Sequence, residues 1–331
     1  MPELFQSKSG PFSKQSDARL SVFGFSPGQG VALLVLVVFI FLAPFFFYEL
    51  FLVKVFAFAI FAIGYNLLLG YTGIMSFGHA AFFGLGAYTS GLLASRLGLS
   101  TELSLLAGIG MGAATGAVFG LLAIRRRGIY LAMITLALAQ MVFFVCLQSP
   151  LTGGEDGVQG IPRGVLLGVF DLSSNDAFYF FSATILVLTV VVVHRIIHSP
   201  FGRVLRAVRD NDKRVESLGF DVMRYRLLSF VLSAGLAGLA GSIKAMGLGI
   251  ATLTDVSIST TTEVVLIVLV GGTATVFGPI VGALGVLALE HFLTPFGPWF
   301  AIVQGTCFVA FVLLFRNGIV GSLQRRIRIE L

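Results

Sequence analysis

Ionisable side chains lie inside long apolar runs near the end of the chain, where a charge is costly unless it is paired. They are Lys244, Glu263, Glu290 and His291. An amine and carboxylates at membrane depth either relay protons or neutralise one another as ion pairs. We expect ion pairs that join neighbouring helices close to one membrane surface. Nearer the start, Lys54 is expected to pair with Glu49 or to extend its amine to that surface.

Residues for other kinds of chemistry are sparse. His79 follows Gly78 with no carboxylate or second histidine close in sequence, so a structural role is favoured over a titrating one. Cys146 and Cys307 lie within apolar runs, which favours neither a disulfide nor a metal site. The phosphate-binding, zinc-protease and nucleophile motifs of common enzymes are absent from the sequence. We therefore predict no catalytic residue, metal or cofactor in this chain, and any ATP must bind elsewhere.

The composition indicates the elements that must position these residues. Of 331 residues, 56% are hydrophobic and 11% are charged, against about 25% charged in an ordinary soluble domain. Apolar runs of about twenty residues predict membrane-spanning helices, whereas a β-barrel needs alternating polar and apolar positions. We predict an all-α integral membrane protein with about ten transmembrane helices, eight at the fewest, and with glycine-broken segments.

The positive charges predict the orientation of these helices. If the N-terminus is cytosolic, only four of the 22 lysines and arginines fall on the outer side, namely Lys54, Arg96, Arg163 and Lys244. The same bias explains the net charge of +6 without nucleic acid as a partner. We predict a cytosolic tail at 1–29, a transmembrane domain at 30–316 with an outer loop at 149–176, and a basic cytosolic tail at 317–331.

Two glycine-rich stretches interrupt apolar runs in the first and last thirds of the chain. LLLGYTGIMSFGHAAFFGLGA at 67–87 and VLVGGTATVFGPIVGALGV at 268–286 share an apolar run, a glycine-rich break and a Phe-Gly pair. Broken helices at corresponding places indicate a transport path, because free backbone groups at membrane depth need protein or water beside them. Tight turns between spans are the alternative. The candidate path residues are Gly70, Gly73, Phe77, Gly78, His79, Gly271, Gly272, Phe277 and Gly278.

A polar stretch at 194–226 carries eight basic residues between two apolar runs. Apolar residues at 204–208 share one helical face. Asp212 is expected to cap a short helix that Gly219 ends, and Asp221 is expected to cap the next helix. The stretch therefore predicts a folded cytosolic loop that faces a partner outside the bilayer.

Four motifs together resemble one family. NLLLGYTGIMSFGHAAFFGLGAYT, TGGEDGVQGIPR, SPFGRVLRAVRDNDKRVESLGFDVMRYRLLSFVLSAGLAGLAG and VLVGGTATVFGPIVGA occur in this order. They are similar to the LivM-type permease subunits of bacterial branched-chain amino acid ABC importers. The resemblance covers about residues 58–322 and leaves the first thirty residues uncovered.

The resemblance implies an inner-membrane importer with five components. This permease would work with a LivH-type permease, two ATP-binding subunits that hold ATP and magnesium, and a substrate-binding protein. A cytoplasmic permease helix in such importers lies in a groove of the ATPase and follows its closure. The matching candidate coupling residues are Arg203, Arg206, Arg209, Asp210, Asp212, Glu216, Gly219 and Asp221. The candidate docking residues for the binding protein are Gly153, Gly154, Glu155, Asp156 and Arg163.

The implied mechanism is alternating access driven by ATP. The sequence shows no polar constellation that would hold both charged ends of an amino acid, so we expect selectivity to reside in the binding protein. Permeases for urea, short amides or other small acids are alternatives within the same family. Two alternatives belong to other classes of protein. One is an ion-coupled transporter that uses His79 and the charged residues inside the apolar runs, and the other is a structural membrane scaffold.

Overall fold

The computed structural model of the protein describes residues 27–166, 168, 170–293, 318–327 and five positions between 302 and 309. The predicted N-terminal tail and the tenth predicted span, 299–315, lie almost wholly outside these residues. The described chain forms the following helices: α1 (Pro27–Leu42), α2 (Glu49–Asn66), α3 (His79–Arg96), α4 (Thr101–Ala123), α5 (Ile129–Gln148), α6 (Asn175–His198), α7 (Pro200–Ser217), α8 (Val222–Leu248), α9 (Ile258–Gly271), α10 (Gly278–Leu293) and α11 (Gly318–Ile327).

Six of the helical segments in the described ranges are long and apolar enough to cross a membrane, so the chain is a multi-pass membrane protein. They comprise α4, α5, α6 and α8, together with α1 and α2 and the short turns that follow each. The apolar helices α9 and α10 have only 14 and 16 residues. At 1.5 Å per residue they reach about 21 and 24 Å, less than the ~30 Å hydrocarbon layer.

Helices α2 and α8 form the centre of the molecule, and small residues let their neighbours approach closely. A Cβ atom at Gly112 of α4 would lie 2.5 Å from the carbonyl oxygen of Ala234 in α8. One at Gly86 of α3 would lie 2.5 Å from the Cα atom of Gly238. Lipid gives helices no hydrophobic reason to associate, so close backbone packing of this kind supplies much of the attraction.

Two short β-ribbons depart from the all-α prediction. β1 (Val158–Gln159) pairs antiparallel with β4 (Ile250–Ala251), and β2 (Val165–Leu166) pairs antiparallel with β3 (Phe170–Asp171). β4 directly follows α8, so the first ribbon attaches the 149–176 loop to the C-terminal end of that helix. We call this the ribbon end. The opposite end, where α7 meets the start of α8, is the α7 end, and the 27 residues of α8 separate the two by about 40 Å.

The C-terminal segment is helical where the sequence predicted a basic tail. Helix α11 packs against α9 and α10. A Cβ atom at Gly318 would lie 2.4 Å from the Cα atom of Gly272, so the two backbones touch. Ile319 and Val320 bury apolar surface in this contact. The apolar positions at the start of the segment therefore pack against the protein, and the helix continues through Arg325 and Arg326.

Candidate transport path and coupling site

Helix α7 is bent in the middle, and the bend decides which residue caps its second half. Asn211 has φ −160° and ψ 97°, outside the helical region, and its Oδ1 accepts a hydrogen bond from the Arg214 N–H at 3.1 Å. Asn211 is thus the cap, and the assignment to Asp212 was wrong by one residue. Gly219, with φ +88°, ends the helix, and Asp221 caps α8, so both of those predictions are confirmed.

Two of the predicted coupling residues, both exposed on α7, also contact the first broken helix. Arg209 Nη1 donates a hydrogen bond to the carbonyl oxygen of Gly70. Arg206 Nη2 donates to the Ile197 carbonyl oxygen at 2.8 Å, and its guanidinium lies 5.8 Å from the centre of the Tyr71 ring. The polar helix is therefore joined directly to backbone inside the membrane domain.

Asp212 also faces the protein, where it connects three segments. Its Oδ2 lies 2.8 Å from Arg127 Nη1, in the loop after α4, and 2.9 Å from Arg226 Nη2, in α8. Arg127, the last of the three arginines at 125–127, thus holds α7 in place. Beside them a cavity of about 440 Å³ is lined by Gly73, Phe77, Arg126, Arg127 and Arg226 among others.

The remaining candidate coupling residues lie at the surface of the α7 end. Arg203, Asp210 and Glu216 are exposed, as are Gly219 and Asp221 at the turn into α8. The side chain of Asp221 pairs with Arg224 at 2.7 Å. Three of the eight candidates therefore hold α7 to the membrane domain, and Arg206 and Arg209 among them are exposed in the same way as the other five.

The first break is a widened helical turn. The end of α2 continues as a π-helix over Leu67–Thr72, and Gly73 then takes φ +74° before α3 begins at His79. A Cβ atom at Gly73 would lie 3.0 Å from Cγ of Arg209, so this position is restricted both by its backbone angle and by α7. The hydroxyl of Ser76 accepts a hydrogen bond from Gly78 N–H at 3.3 Å, near the start of α3.

The second break is a tight turn between α9 and α10. Gly272 has φ +120°, and Ala274 has φ +60°, a left-handed value that is uncommon for a residue with a side chain. The Thr275 hydroxyl donates to the Gly272 carbonyl oxygen at 2.8 Å and accepts from Gly278 N–H at 3.1 Å. Gly271, Phe277 and Gly278 are buried in this turn.

Asn66, which the sequence analysis did not single out, joins the two breaks. Its Nδ2 donates to the Thr275 carbonyl oxygen at 2.8 Å, and its Oδ1 accepts from Ala274 N–H at 3.0 Å. Gly70 lies so close that a Cβ atom there would be 2.6 Å from Ala274 N. An amide in an apolar helix is costly without hydrogen bonds, and this signal was available in the sequence.

His79 is fully buried among the packed helices and does not line the cavity at the α7 end. Its Nε2 lies 2.8 Å from Ser233 Oγ, and the Ser233 hydroxyl donates to the Gly64 carbonyl oxygen at 2.6 Å. Because the Ser233 hydroxyl proton is donated to Gly64, the hydrogen bond between His79 and Ser233 must be donated by His79 Nε2. The rings of Tyr65, Phe82 and Phe230 surround the imidazole edge-on. This arrangement agrees with the structural role that the sequence favours.

A second cavity, of about 700 Å³, lies at the ribbon end among α2, α8, α9 and α10. Five charged residues line it: Lys54, Lys244, Asp255, Glu263 and Glu290. Lys244 Nζ lies 2.8 Å from Asp255 Oδ2, and Lys54 Nζ lies 3.2 Å from Glu290 Oε2. The chain therefore assembles a charged cluster from positions that are distant in the sequence.

Two details of the predicted ion pairs need correction. Lys54 pairs with Glu290 and not with Glu49, since residues five apart are about 140° apart around a helix. His291 does not line the cavity; it is exposed, and its ring centre lies 5.1 Å from that of Phe51. Lys244, Glu263 and Glu290 line one cavity, but Lys244 pairs with Asp255 and Glu290 pairs with Lys54.

The direct partner of Lys244 was missed by the sequence analysis. Asp255 Oδ2 also accepts hydrogen bonds from Thr252 N–H at 2.9 Å and from the Thr252 hydroxyl at 3.1 Å. The two residues form a capping box around the short helical turn Leu253–Val256. A Thr-x-x-Asp spacing is the sequence signature of such a box, so Asp255 was in principle recognisable.

The candidate docking residues lie in the loop at the ribbon end. Gly153 and Gly154 have left-handed φ values of 77° and 60°, and Glu155 and Asp156 are exposed. Farther along the loop, hydrogen bonds from the Ser173 N–H and hydroxyl lower the pKa of Asp171. The exposed acidic pair is the part of the predicted docking site that remains accessible.

Arg163 is occupied within the loop itself. Its guanidinium donates to Asn175 Oδ1 at 2.7 Å, to the Ser173 carbonyl oxygen at 3.3 Å and to the Gly247 carbonyl oxygen at 2.9 Å. It also lies 5.3 Å from the centre of the Phe178 ring. These contacts attach the loop to α6 and to the end of α8, which is a positioning role.

Comparison with known proteins agrees with this architecture. The profile of the family described as "Branched-chain amino acid transport system / permease component" matches residues 47–314. The high-affinity branched-chain amino acid permease LivM of Escherichia coli is 28% identical over 295 residues, 82% of this chain and 69% of that protein. A probable LivM of Methanocaldococcus jannaschii is 26% identical over 211 residues, 53% of this chain and 60% of the relative.

A more distant relative differs in its solute. The autoinducer 2 import permease LsrC of Salmonella paratyphi B is 29% identical over 192 residues, 54% of this chain and 52% of that protein. No solved structure matches the chain. The family is one of transport permease subunits and not of catalytic enzymes. Since its profile covers most of the sequence, this chain belongs to the permease component family of branched-chain amino acid transport systems.

Proposed function

We propose that the chain is the membrane permease subunit of an ATP-driven importer for branched-chain and other hydrophobic amino acids in a bacterial inner membrane. The observation that carries this proposal is the hydrogen bond from Arg209 of the polar helix α7 to Gly70 in the first broken helix. It gives an outside partner a direct mechanical connection to backbone in the membrane domain. Asn66 extends that connection to the second break.

The proposed topology has about ten spans and both termini in the cytosol. The six long helices account for six spans, and α3, α9, α10 and the tenth predicted span account for the others. The α7 end, with loop 194–226 and the arginines at 125–127, is then cytosolic, and the ribbon end, with loop 149–176, is outside. The excess of lysine and arginine at the α7 end supports this orientation.

The proposed partners are two ATP-binding subunits, a LivH-type permease, a substrate-binding protein and membrane lipid. ATP and magnesium bind to the ATP-binding subunits, and this chain carries no cofactor. The accessible residues of α7, namely Arg203, Asp210 and Glu216, are proposed to contact the ATPase. The exposed acidic pair Glu155 and Asp156 is proposed to contact the binding protein.

The proposed mechanism is alternating access. Among the described residues, none lines both the ribbon-end cavity and the α7-end cavity; Gly73 and Phe77 of the first break line the α7-end cavity, and the buried pair His79 and Ser233 lines neither. Closure of the ATPases moves α7, and Arg209 transmits the motion to Gly70. A shift of the breaks then opens the path toward the ribbon end, and hydrolysis returns the protein to the opposite state.

The test is reconstitution of the chain with the subunits that co-purify with it. ATP-driven uptake of labelled leucine, isoleucine and valine into proteoliposomes is expected, without dependence on membrane potential. Urea and a short amide serve as alternative solutes, since a relative is named for a different cargo. Reversal of the exposed charge by Glu216→Arg is expected to release the ATPase subunits. Uptake driven by an ion gradient, without ATPase subunits, would contradict the proposal.

A further inference from the structure

The charged cavity at the ribbon end has the composition of a binding site. We infer that it binds a free amino acid with an apolar side chain, and that Glu263 and Glu290 hold the α-ammonium group. This inference rests on the proposed function, because it assigns the substrate to a site on the permease itself. Its volume of about 700 Å³ falls within the ~300–1,000 Å³ that is usual for small-molecule sites.

Glu263 provides the first step, because one of its two carboxylate oxygens is buried without a hydrogen-bond donor among the described residues. Its Oε1 receives no hydrogen bond from any donor in the described part of the chain. Its carboxyl group lies within hydrogen-bond reach of Glu290, which is another carboxyl. Two adjacent carboxylates repel each other, so the pair favours a proton or a cation between them. A substrate ammonium supplies both the positive charge and the missing hydrogen-bond donors.

The charge balance of the cavity gives the second step. Lys244 is committed to Asp255, and Lys54 is committed to Glu290. When all five groups are ionised, two positive charges face three negative charges, and Glu263 carries the excess. The ammonium group of a bound amino acid offsets this excess locally at Glu263, while its carboxylate needs donors elsewhere in the cavity.

The other walls of the cavity suit the rest of an amino acid. Hydroxyl groups of Thr254 and Thr262 line it; they donate to Thr252 Oγ1 and to the Ile258 carbonyl oxygen in this structure, and each must turn its proton toward a carboxylate that binds. Phe58, Leu248 and Leu266 supply apolar surface for an aliphatic side chain. The cavity thus offers carboxylates, hydroxyl donors and apolar carbon in one space, which matches the three parts of leucine and its analogues.

The experiment measures protection of a cysteine placed in the cavity wall. Ser259 is exposed and lines the cavity, so Ser259→Cys is introduced into the full importer after Cys146→Ala and Cys307→Ala. The rate of alkylation by a charged thiol reagent is followed with leucine, or with 4-methyl-2-oxopentanoate, which lacks the ammonium group. Leucine is expected to slow alkylation, and the oxo acid is expected not to do so.

The variant Glu263→Gln tests the assigned group. Loss of a charged hydrogen-bond partner is expected to raise the leucine concentration for half-protection by about tenfold or more. Glu263→Asp keeps the charge and is expected to recover part of the protection. Glu102→Gln at the start of α4, outside the cavity, is the matched control and is expected to leave protection unchanged.

Several outcomes would overturn the inference. They are equal protection by leucine and the oxo acid, full protection in Glu263→Gln, or no protection by leucine while ATP-driven leucine uptake is intact. Protection by sodium chloride alone at matched ionic strength would assign the cavity to an inorganic cation and would also overturn it. Absence of any ATP-driven amino acid uptake would instead contradict the proposed function. The comparison of leucine with its oxo acid needs no Glu263 variant, so misfolding of that variant does not remove the test.

Discussion

The two ends of the molecule treat charge in opposite ways. At the ribbon end, the side chains of Lys244 and Asp255 are 9% and 7% exposed and lie in the wall of a cavity. At the α7 end, Asp212 is 18% exposed and its partner Arg127 is 56% exposed. The Lys244–Asp255 pair is thus enclosed and the Asp212–Arg127 pair lies near water, while the Asp212–Arg226 pair, with side chains 18% and 15% exposed, lies between the two cases.

This difference has an energetic consequence. The two charges of an ion pair that is removed from water attract each other strongly. Loss of one partner destabilises the fold, because the remaining buried charge is then unpaired. The attraction in a pair near water is weakened by the solvent and by salt. At 0.1 M salt the field of an exposed charge decays over about 10 Å. Substitutions at the ribbon end should therefore affect stability, whereas substitutions at the α7 end should affect coupling and salt dependence.

The largest effect is expected for Lys244→Met. The change leaves Asp255 buried with only the two donors of Thr252, so we expect a loss of about 3 kcal/mol in the free energy of unfolding. Thermal unfolding of the purified complex measures it. The double variant Lys244→Met with Asp255→Asn removes both charges and should recover part of the loss. A fully stable single variant would show that the ribbon end is not an enclosed environment.

Arg209→Ala should separate ATP hydrolysis from transport. The variant removes the hydrogen bond to Gly70 but leaves the exposed residues of α7 in place. A charged hydrogen bond contributes about 1.5–3 kcal/mol, so uptake per ATP hydrolysed is expected to fall by about tenfold or more. Simultaneous assays of uptake and hydrolysis in proteoliposomes measure this ratio. The exposed Arg214 gives the control, and equal ratios for Arg209→Ala and Arg214→Ala would argue against a relay through Gly70.

Asp212→Asn should have a smaller effect that depends on salt. The change weakens contacts to Arg127 and Arg226 at once, and we expect a loss of about 1 kcal/mol at low ionic strength. Salt already weakens these contacts in the unmodified protein, so the difference between the two should shrink as salt is added. Thermal unfolding at two salt concentrations tests this. A difference that does not change with salt would place Asp212 in an enclosed environment like that of Lys244.

Much of the fold could be predicted from the sequence, because membrane helices follow from apolar length; the orientation inferred from arginine placement stays a prediction. The caps at Gly219 and Asp221 were also predictable, since each depends on a few neighbouring residues. Asn211 was missed by one position because the bend in α7 is set by packing and not by local sequence. Helix α11 was missed because its burial depends on the break between α9 and α10.

The sequence predicted which charged residues would form the cluster at the ribbon end, but it did not predict which residues would pair with one another. The sequence indicated that Lys244, Glu263 and Glu290 must be neutralised, and the structure places them in one cavity. It did not indicate Asp255 or Lys54 as the direct partners, because pairing across helices depends on how the helices rotate against one another. Asn66 was not predicted, because an uncharged amide in an apolar helix is a weaker signal than a charge. Its hydrogen bonds nevertheless join the two breaks.

The smallest effect is expected for Lys54→Met, which is the internal comparison for Lys244→Met. Both variants remove a lysine from the same cavity, but the side chains of Lys54 and Glu290 are 31% and 32% exposed. Partly hydrated pairs contribute little, so we expect a loss below about 1 kcal/mol in the free energy of unfolding. Thermal unfolding of the two variants side by side measures the ratio. If Lys54→Met were as destabilising as Lys244→Met, the loss of stability would not depend on how deeply each ion pair is buried. That outcome would instead indicate that the carboxyl groups of Glu263 and Glu290 need Lys54 to stay close together.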